Sequence, residues 1–183
     1  SIILLFSPII ISIRILKNKE HKFRFKEKFS LISKKRGGGK LVWFHGSSVG
    51  EILSVIPIIK NYENDKSIDK ILLTSSTLSS SKIFKKFKFK KTIHQFYPID
   101  HMLFSNKFLD YWRPNVAIFL ESEIWPSMFK SIKDKNIFLI LLNARITKKS
   151  FKRWSNMEKF SQSIFGSIDK AYTQNLETNY FLK

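Results

Sequence analysis

The sequence predicts an α/β domain, a Rossmann-like parallel sheet with helices on both faces, preceded by an apolar N-terminal helix. Three observations carry that prediction. From Lys40 onward, short β-rich runs alternate with longer segments of helical periodicity. The runs are near-continuously apolar rather than alternating, as strands buried on both faces of a parallel sheet are. With 183 residues, 43% of them apolar and 15% aromatic, the chain has the material for a real core.

The first segment, "SIILLFSPIIISIRIL", is apolar up to Ile13. Thirteen residues before Arg14 are too few to cross a hydrocarbon core, which needs about 20. Basic residues follow it, "KNKEHKFRFKEKF", where a secretory leader would carry its charges before the apolar run. That order fits a membrane-associated segment over 1–20 whose following domain stays on the cytoplasmic side. The competing reading is a buried, amphipathic start of the domain. Residues 21–39 read as a basic linker, closed by "SKKRGGGK". Its Gly run lacks the spacing and the Ser/Thr of a phosphate loop.

The Rossmann-like domain is expected over 40–183. Its strands are read at 40–45, 70–74, 92–97, 115–120, 136–142 and 170–174, with helices near 51–62, 79–89, 101–112, 124–134 and 147–166. The Lys-rich stretch "KIFKKFKFKK" (82–91) reads as a solvated helical face with Phe84 and Phe87 turned inward.

Charge and composition narrow the function classes. There is no cysteine, so no disulfide framework and no thiolate metal site can be built. The net charge is +19, from 33 Lys+Arg against 14 Asp+Glu. Such a balance attracts polyanions: nucleic acid, an anionic membrane face or a phosphorylated ligand. Residues 1–40 hold 11 basic and 2 acidic residues, which concentrates the surplus beside the apolar segment. Compositional drift in an AT-rich genome is the bland alternative. A nucleic-acid module lacks a recognition motif here, because the aromatics follow core periodicity.

In sheets of this kind ligands sit at the carboxyl ends of the strands. The candidates there are His45, Gly46, Ser47, Ser48, Gly50 and Glu51, then "SSTLSSS" (75–81), Pro98 and Asp100, "ESEIWP" (121–126) and "NARIT" (143–147). Glu51 lies in the first turn of its helix, where an acid is favoured by the helix dipole and can be a mere cap. It can equally be a general base at the mouth of the cleft. Glu121 and Glu123 add a second acidic cluster and carry the same two readings. The four histidines, 21, 45, 94 and 101, show no paired ligand spacing, and "HGSSVGE" lacks the G-x-S-x-G nucleophile turn.

In order and spacing, "WFHGSSVGE", "PNVAIFLESEIWP" and "LLNARIT" resemble the N-terminal half of the 3-deoxy-D-manno-octulosonic acid (Kdo) transferases, from about Phe23 onward. The resemblance implies the N-terminal half of a GT-B glycosyltransferase. That half takes a lipid A precursor, and a C-terminal domain takes CMP-Kdo. It implies Glu51 as the proton acceptor and Glu121 as the transition-state stabiliser, with Glu121 nearer to Glu51 than Glu123 is. Ser48, Gly50, Glu123, Asn143 and Arg145 are the expected substrate-binding set. Arg145 suits either an acceptor phosphate or the neighbouring carboxylates. An inverting transfer of this kind needs no metal, no cofactor and no covalent intermediate. The expected location is the cytoplasmic side of the cell inner membrane, on an anionic surface. Two departures stand out. "FRFKEKF" is looser than the family's Arg-Gly-Glu-Arg-like pattern, and the chain stops near the end of a first domain, as a fragment inactive alone would. Another GT-B acceptor domain is the alternative within enzymes.

Overall fold

A computed structural model describes the backbone of residues 2–182 and the side chains of residues 6–182. Six parallel strands form one sheet: β1 (Leu41–His45), β2 (Lys70–Ser75), β3 (Thr92–Phe96), β4 (Val116–Leu120), β5 (Phe138–Ala144) and β6 (Lys170–Thr173). Their order is β3-β2-β1-β4-β5-β6, so the winding reverses between β1 and β4. In sheets of this kind ligands bind at such a reversal, here the carboxyl ends of β1 and β4. Each strand expected from the sequence is present.

Alternate residues of the central strands enter two cores. Trp43, Phe119 and Leu139 face Phe108 and Trp112 of α4 (Met102–Trp112) and Phe129 of α5 (Pro126–Asp134). Phe44, Leu73 and Ile118 face Ile52 and Ile59 of α2 (Val49–Asn64) and Phe84 of α3 (Leu78–Phe84). Both faces of the sheet are thus covered, which explains why β1 has no exposed residue in its sequence LVWFH.

Several segments differ from the sequence expectation. The helix read over 79–89 ends at Phe84. The Glu63 carboxylate at the end of α2 accepts the Lys90 and Lys91 N–H groups at 2.9 and 3.0 Å, which pulls that stretch out of a helix. Phe84 still packs inward, stacked on Phe89 and His94. The helix read over 147–166 is two, α6 (Lys148–Ser155) and α7 (Glu158–Phe165). The break lets Trp154 fold onto Phe160 and Phe165. A short α8 (Leu176–Phe181) was not anticipated; the Asn175 side chain caps it at Thr178 N–H.

The stretch 21–39, read as a linker, is instead fastened to the sheet. It holds a 3-10 helix, Arg24–Phe29, against β3. Glu27, 1% exposed, takes a two-pronged contact from Arg24 (2.7 and 2.9 Å) and accepts the Phe96 N–H at 2.7 Å. Arg24 also donates to the His94 carbonyl at 2.9 Å. These groups take the place of a neighbouring strand along the outer edge of β3. Burial, with Arg24 beside it, drops the His94 imidazole to about 3, so it is neutral.

The helix α1 (Ile2–Leu16) precedes this segment and exposes Phe6, Ile9, Ile10, Ile13 and Leu16. Among the described residues no helix is long and apolar enough to cross a membrane.

Candidate active site

The loop after β1 is built by local rules. Ser48 is the N-cap of α2, and its hydroxyl accepts the Glu51 N–H at 3.2 Å. The Glu51 carboxylate returns the contact, accepting Ser48 N–H at 3.3 Å on Oε1 and Ser47 N–H at 2.9 Å on Oε2. This is a capping box extended by one donor. Gly46 makes room for it: a Cβ there would lie 2.9 Å from Leu120 Cδ1 and 3.0 Å from Glu51 Cβ. Glu51 is therefore a helix cap in fact, 9% exposed at the carboxyl edge of the sheet. Each carboxylate oxygen can accept twice, so the cap leaves acceptor capacity on both. Gly50 lies in the first turn of α2.

The loop after β4 is built differently. Glu121 takes a left-handed backbone, φ 53°, between the Leu142 carbonyl and the Arg145 N–H. Asn143, opposite it on β5, is left-handed too, at φ 56°, within a register shift between Leu142 and Ala144. Non-glycine residues in this region cost roughly 1–2 kcal/mol, more for Glu than for Asn, and such strain gathers at functional sites. Among the described residues the half-buried Glu121 side chain makes no hydrogen bond, and the exposed Arg145 side chain makes no ion pair. Arg145 therefore does not tie down the carboxylates.

Glu123 is the member that joins the two loops. Its Oε2 accepts from His45 Nε2 at 3.0 Å, Ser47 Oγ at 2.7 Å and Trp125 Nε1 at 2.8 Å. Burial pushes this carboxyl up. The hydrogen bonds from His45, Ser47 and Trp125 outweigh that and hold it below the ordinary glutamate value. An ionised carboxylate only accepts, so His45 Nε2 is the donor in that contact. His45 Nδ1 lies 2.9 Å from Thr74 Oγ1, which accepts from Trp43 Nε1 at 2.9 Å and donates to the Phe44 carbonyl at 3.3 Å. The fully buried His45 ring stacks on Tyr97, centroids 3.8 Å apart.

Ser47 thus holds Glu51 through its N–H and Glu123 through its hydroxyl. The sequence expectation has the Glu121 carboxylate nearer to Glu51 than Glu123's; the hydrogen bonds tie Glu123 to the Glu51 loop through Ser47. The reason is the left-handed turn at Glu121, which sends the chain on so that the residue two places later reaches back. Sequence reading names His45, Ser47, Ser76 and Trp125 only as strand-end positions, and leaves Thr74 inside a strand. No local signal marks Thr74 or Ser76, since their partners Trp43, His45 and Ser47 lie about 30 positions away on and after β1. Asp100, also at a strand end, accepts the Ser127 and Met128 N–H groups at the start of α5, where burial keeps its carboxyl raised.

Comparison with known proteins gives the family. The family described as 3-deoxy-D-manno-octulosonic-acid transferase (kdotransferase) matches residues 23–182. A probable mitochondrial 3-deoxy-D-manno-octulosonic acid transferase of Arabidopsis thaliana is 41% identical over 143 residues, 78% of this chain and 32% of that protein. The 3-deoxy-D-manno-octulosonic acid transferase of Rickettsia bellii is 35% identical over 167 residues, 91% of this chain and 40% of that protein. The enzyme of that name from Haemophilus influenzae is 24% identical over 73% of this chain and 31% of its own length. The chain thus spans about a third to two fifths of the length of these relatives. With a family match over most of its length and the motifs gathered at one strand-end crevice, this chain belongs to the 3-deoxy-D-manno-octulosonic-acid transferase family.

Proposed function

We propose that this domain supplies the acceptor side of an inverting transfer of Kdo from CMP-Kdo to a lipid A precursor such as lipid IVA. The observation that carries the reading is the Glu51 carboxylate, fixed at the crevice beside β4 with acceptor capacity to spare. Glu51 takes the proton from the acceptor hydroxyl, the hydroxyl oxygen attacks the anomeric carbon, and CMP leaves with the bonding electrons of the old linkage. Glu121, strained and without a side-chain partner among the described residues, faces the positive charge that develops on the sugar. Asn143 and Arg145 are the acceptor contacts, Arg145 pairing with a phosphate. Donor nucleotide binding is assigned to the part of the relatives outside the match.

The exposed apolar residues of α1 and the basic residues that follow support docking on an anionic membrane, on the cytoplasmic side of the cell inner membrane. Each Lys or Arg near such a surface contributes roughly 1 kcal/mol. Removal of residues 1–20 is expected to move the protein from the membrane to the soluble fraction, and unchanged sedimentation overturns that docking.

The test of the catalytic reading is transfer by Glu51→Gln in a protein joined to a donor domain. Loss of a general base costs on the order of 10² to 10⁴ in rate. Near-normal turnover would leave Glu51 as a cap alone. Calorimetry of residues 1–183 with CMP is expected to show no binding; tight binding would place the donor site in this domain.

A further inference from the structure

A third segment reaches the site from outside the motifs. Lys28, in the 3-10 helix, places its Nζ 2.6 Å from Glu20 Oε1 and 3.2 Å from the Ser76 carbonyl. Glu20 is 3% exposed, and the same oxygen accepts Arg14 Nε of α1 at 2.7 Å. Ser76 opens the turn after β2, and that turn and the helix α3 it leads into each hold Ser47. Its hydroxyl lies 2.9 Å from Ser47 Oγ, and Ser80 Oγ donates to the Ser47 carbonyl at 2.9 Å. Because Ser47 gives its own proton to Glu123, the Ser76 hydroxyl is the donor of that pair.

We propose that Lys28 is a positioning residue for Glu51: anchored by Glu20, it sets the Ser76 turn, which seats Ser47, whose N–H holds the Glu51 carboxylate. This rests on the reading of Glu51 as the base. A buried ion pair is a poor source of stability, since apolar replacements of both partners are often neutral or stabilising. It is a good way to fix a direction, because the ammonium must meet both the carboxylate and one particular carbonyl. The carbonyl it meets belongs to the turn that seats the site loop. The pair therefore orients the loop rather than holding the domain together.

The experiment is site-resolved amide exchange by NMR on the full chain, comparing wild type with Lys28→Met, Lys28→Arg, and the double variant Glu20→Gln/Lys28→Met, which leaves no buried charge from this pair. Lys34→Met, an exposed lysine of the same segment, is the control. Exchange at Ser47 and Ser48, the two N–H groups held by Glu51, is expected to rise about five- to tenfold in Lys28→Met and in the double variant. Phe44 of β1 should be unchanged, Lys28→Arg should restore protection, and Lys34→Met should do nothing. Unchanged exchange at Ser47 and Ser48 overturns the proposal. So does a rise no larger there than at Phe44, which would make Lys28 a support of the whole fold. Failure of the base reading is seen separately, as transfer retained by Glu51→Gln, and leaves the exchange result standing.

Discussion

The loops after β1 and β4 both put carboxylates at the same crevice, yet they are assembled by opposite means. After β1, the partners of Glu51 are Ser47 and Ser48, three and four positions away. After β4, Glu123 is held by His45 and Ser47, 78 and 76 positions away, as well as by nearby Trp125. The first loop is a local motif that would form at the start of many helices. The second exists only once the sheet has brought β4 beside β1. A carboxylate placed by local bonds needs little from the rest of the fold, whereas one placed by distant bonds reports on it.

That contrast predicts a ranking. The largest effect is on chemistry: Glu51→Gln removes transfer while keeping one amide oxygen to accept from the loop, so the folded state should survive. Circular dichroism alongside the rate separates the two. Glu123→Ala should cost about 2–3 kcal/mol, because His45, Ser47 and Trp125 each lose their acceptor in a largely enclosed place. Urea unfolding measures it, and a loss below that of Glu51→Ala would break the comparison. Glu51→Ala should cost about 1 kcal/mol, the ordinary worth of a capping contact.

Glu121→Gly should raise stability by roughly 1 kcal/mol by relieving the left-handed backbone, and lower transfer at the same time. Asn143→Gly should change stability by only a few tenths of a kcal/mol, since Asn tolerates that region. A stability loss in Glu121→Gly would show that its side chain supports the fold.

The smallest effect is in acid. The carboxyl of Glu123 is depressed in the folded protein, so its contribution is complete above about pH 4.5 and is lost as pH falls through the folded value. His94 adds a separate loss that begins below about pH 6.5 and continues toward about 3, because the unfolded chain binds that proton more readily. The informative quantity is thus the difference between wild type and Glu123→Gln, which should narrow only below pH 4.5. The loss through His94 is common to both proteins and cancels in that difference, so a difference that narrows already near pH 6 would show that Glu123 is not the group responsible.

The same contrast explains what was legible beforehand. The six strands were readable because a run such as LVWFH, buried on both faces, has no need of polar residues. The place of Glu51 in the first turn of α2 was readable because the helix dipole favours an acid there. Helix ends were less so. The stop at Phe84 depends on Glu63 across the sheet edge, and the break before Met157 on where Trp154 finds aromatic partners. The segment 21–39 looked like a linker by its charge, and only its burial of Glu27 against β3 shows otherwise.

By itself the sequence determined the class of fold, the order of its elements and the position of Glu51, because apolar periodicity and capping act over a few residues. The tertiary structure alone decided that Glu123 is the acid bound into the Glu51 loop, that His45 meets it through Nε2, and that Lys28 meets Ser76. Those facts rest on hydrogen bonds between segments many residues apart, whose directions are set by strand register and by a left-handed turn at Glu121 that no composition or periodicity announces.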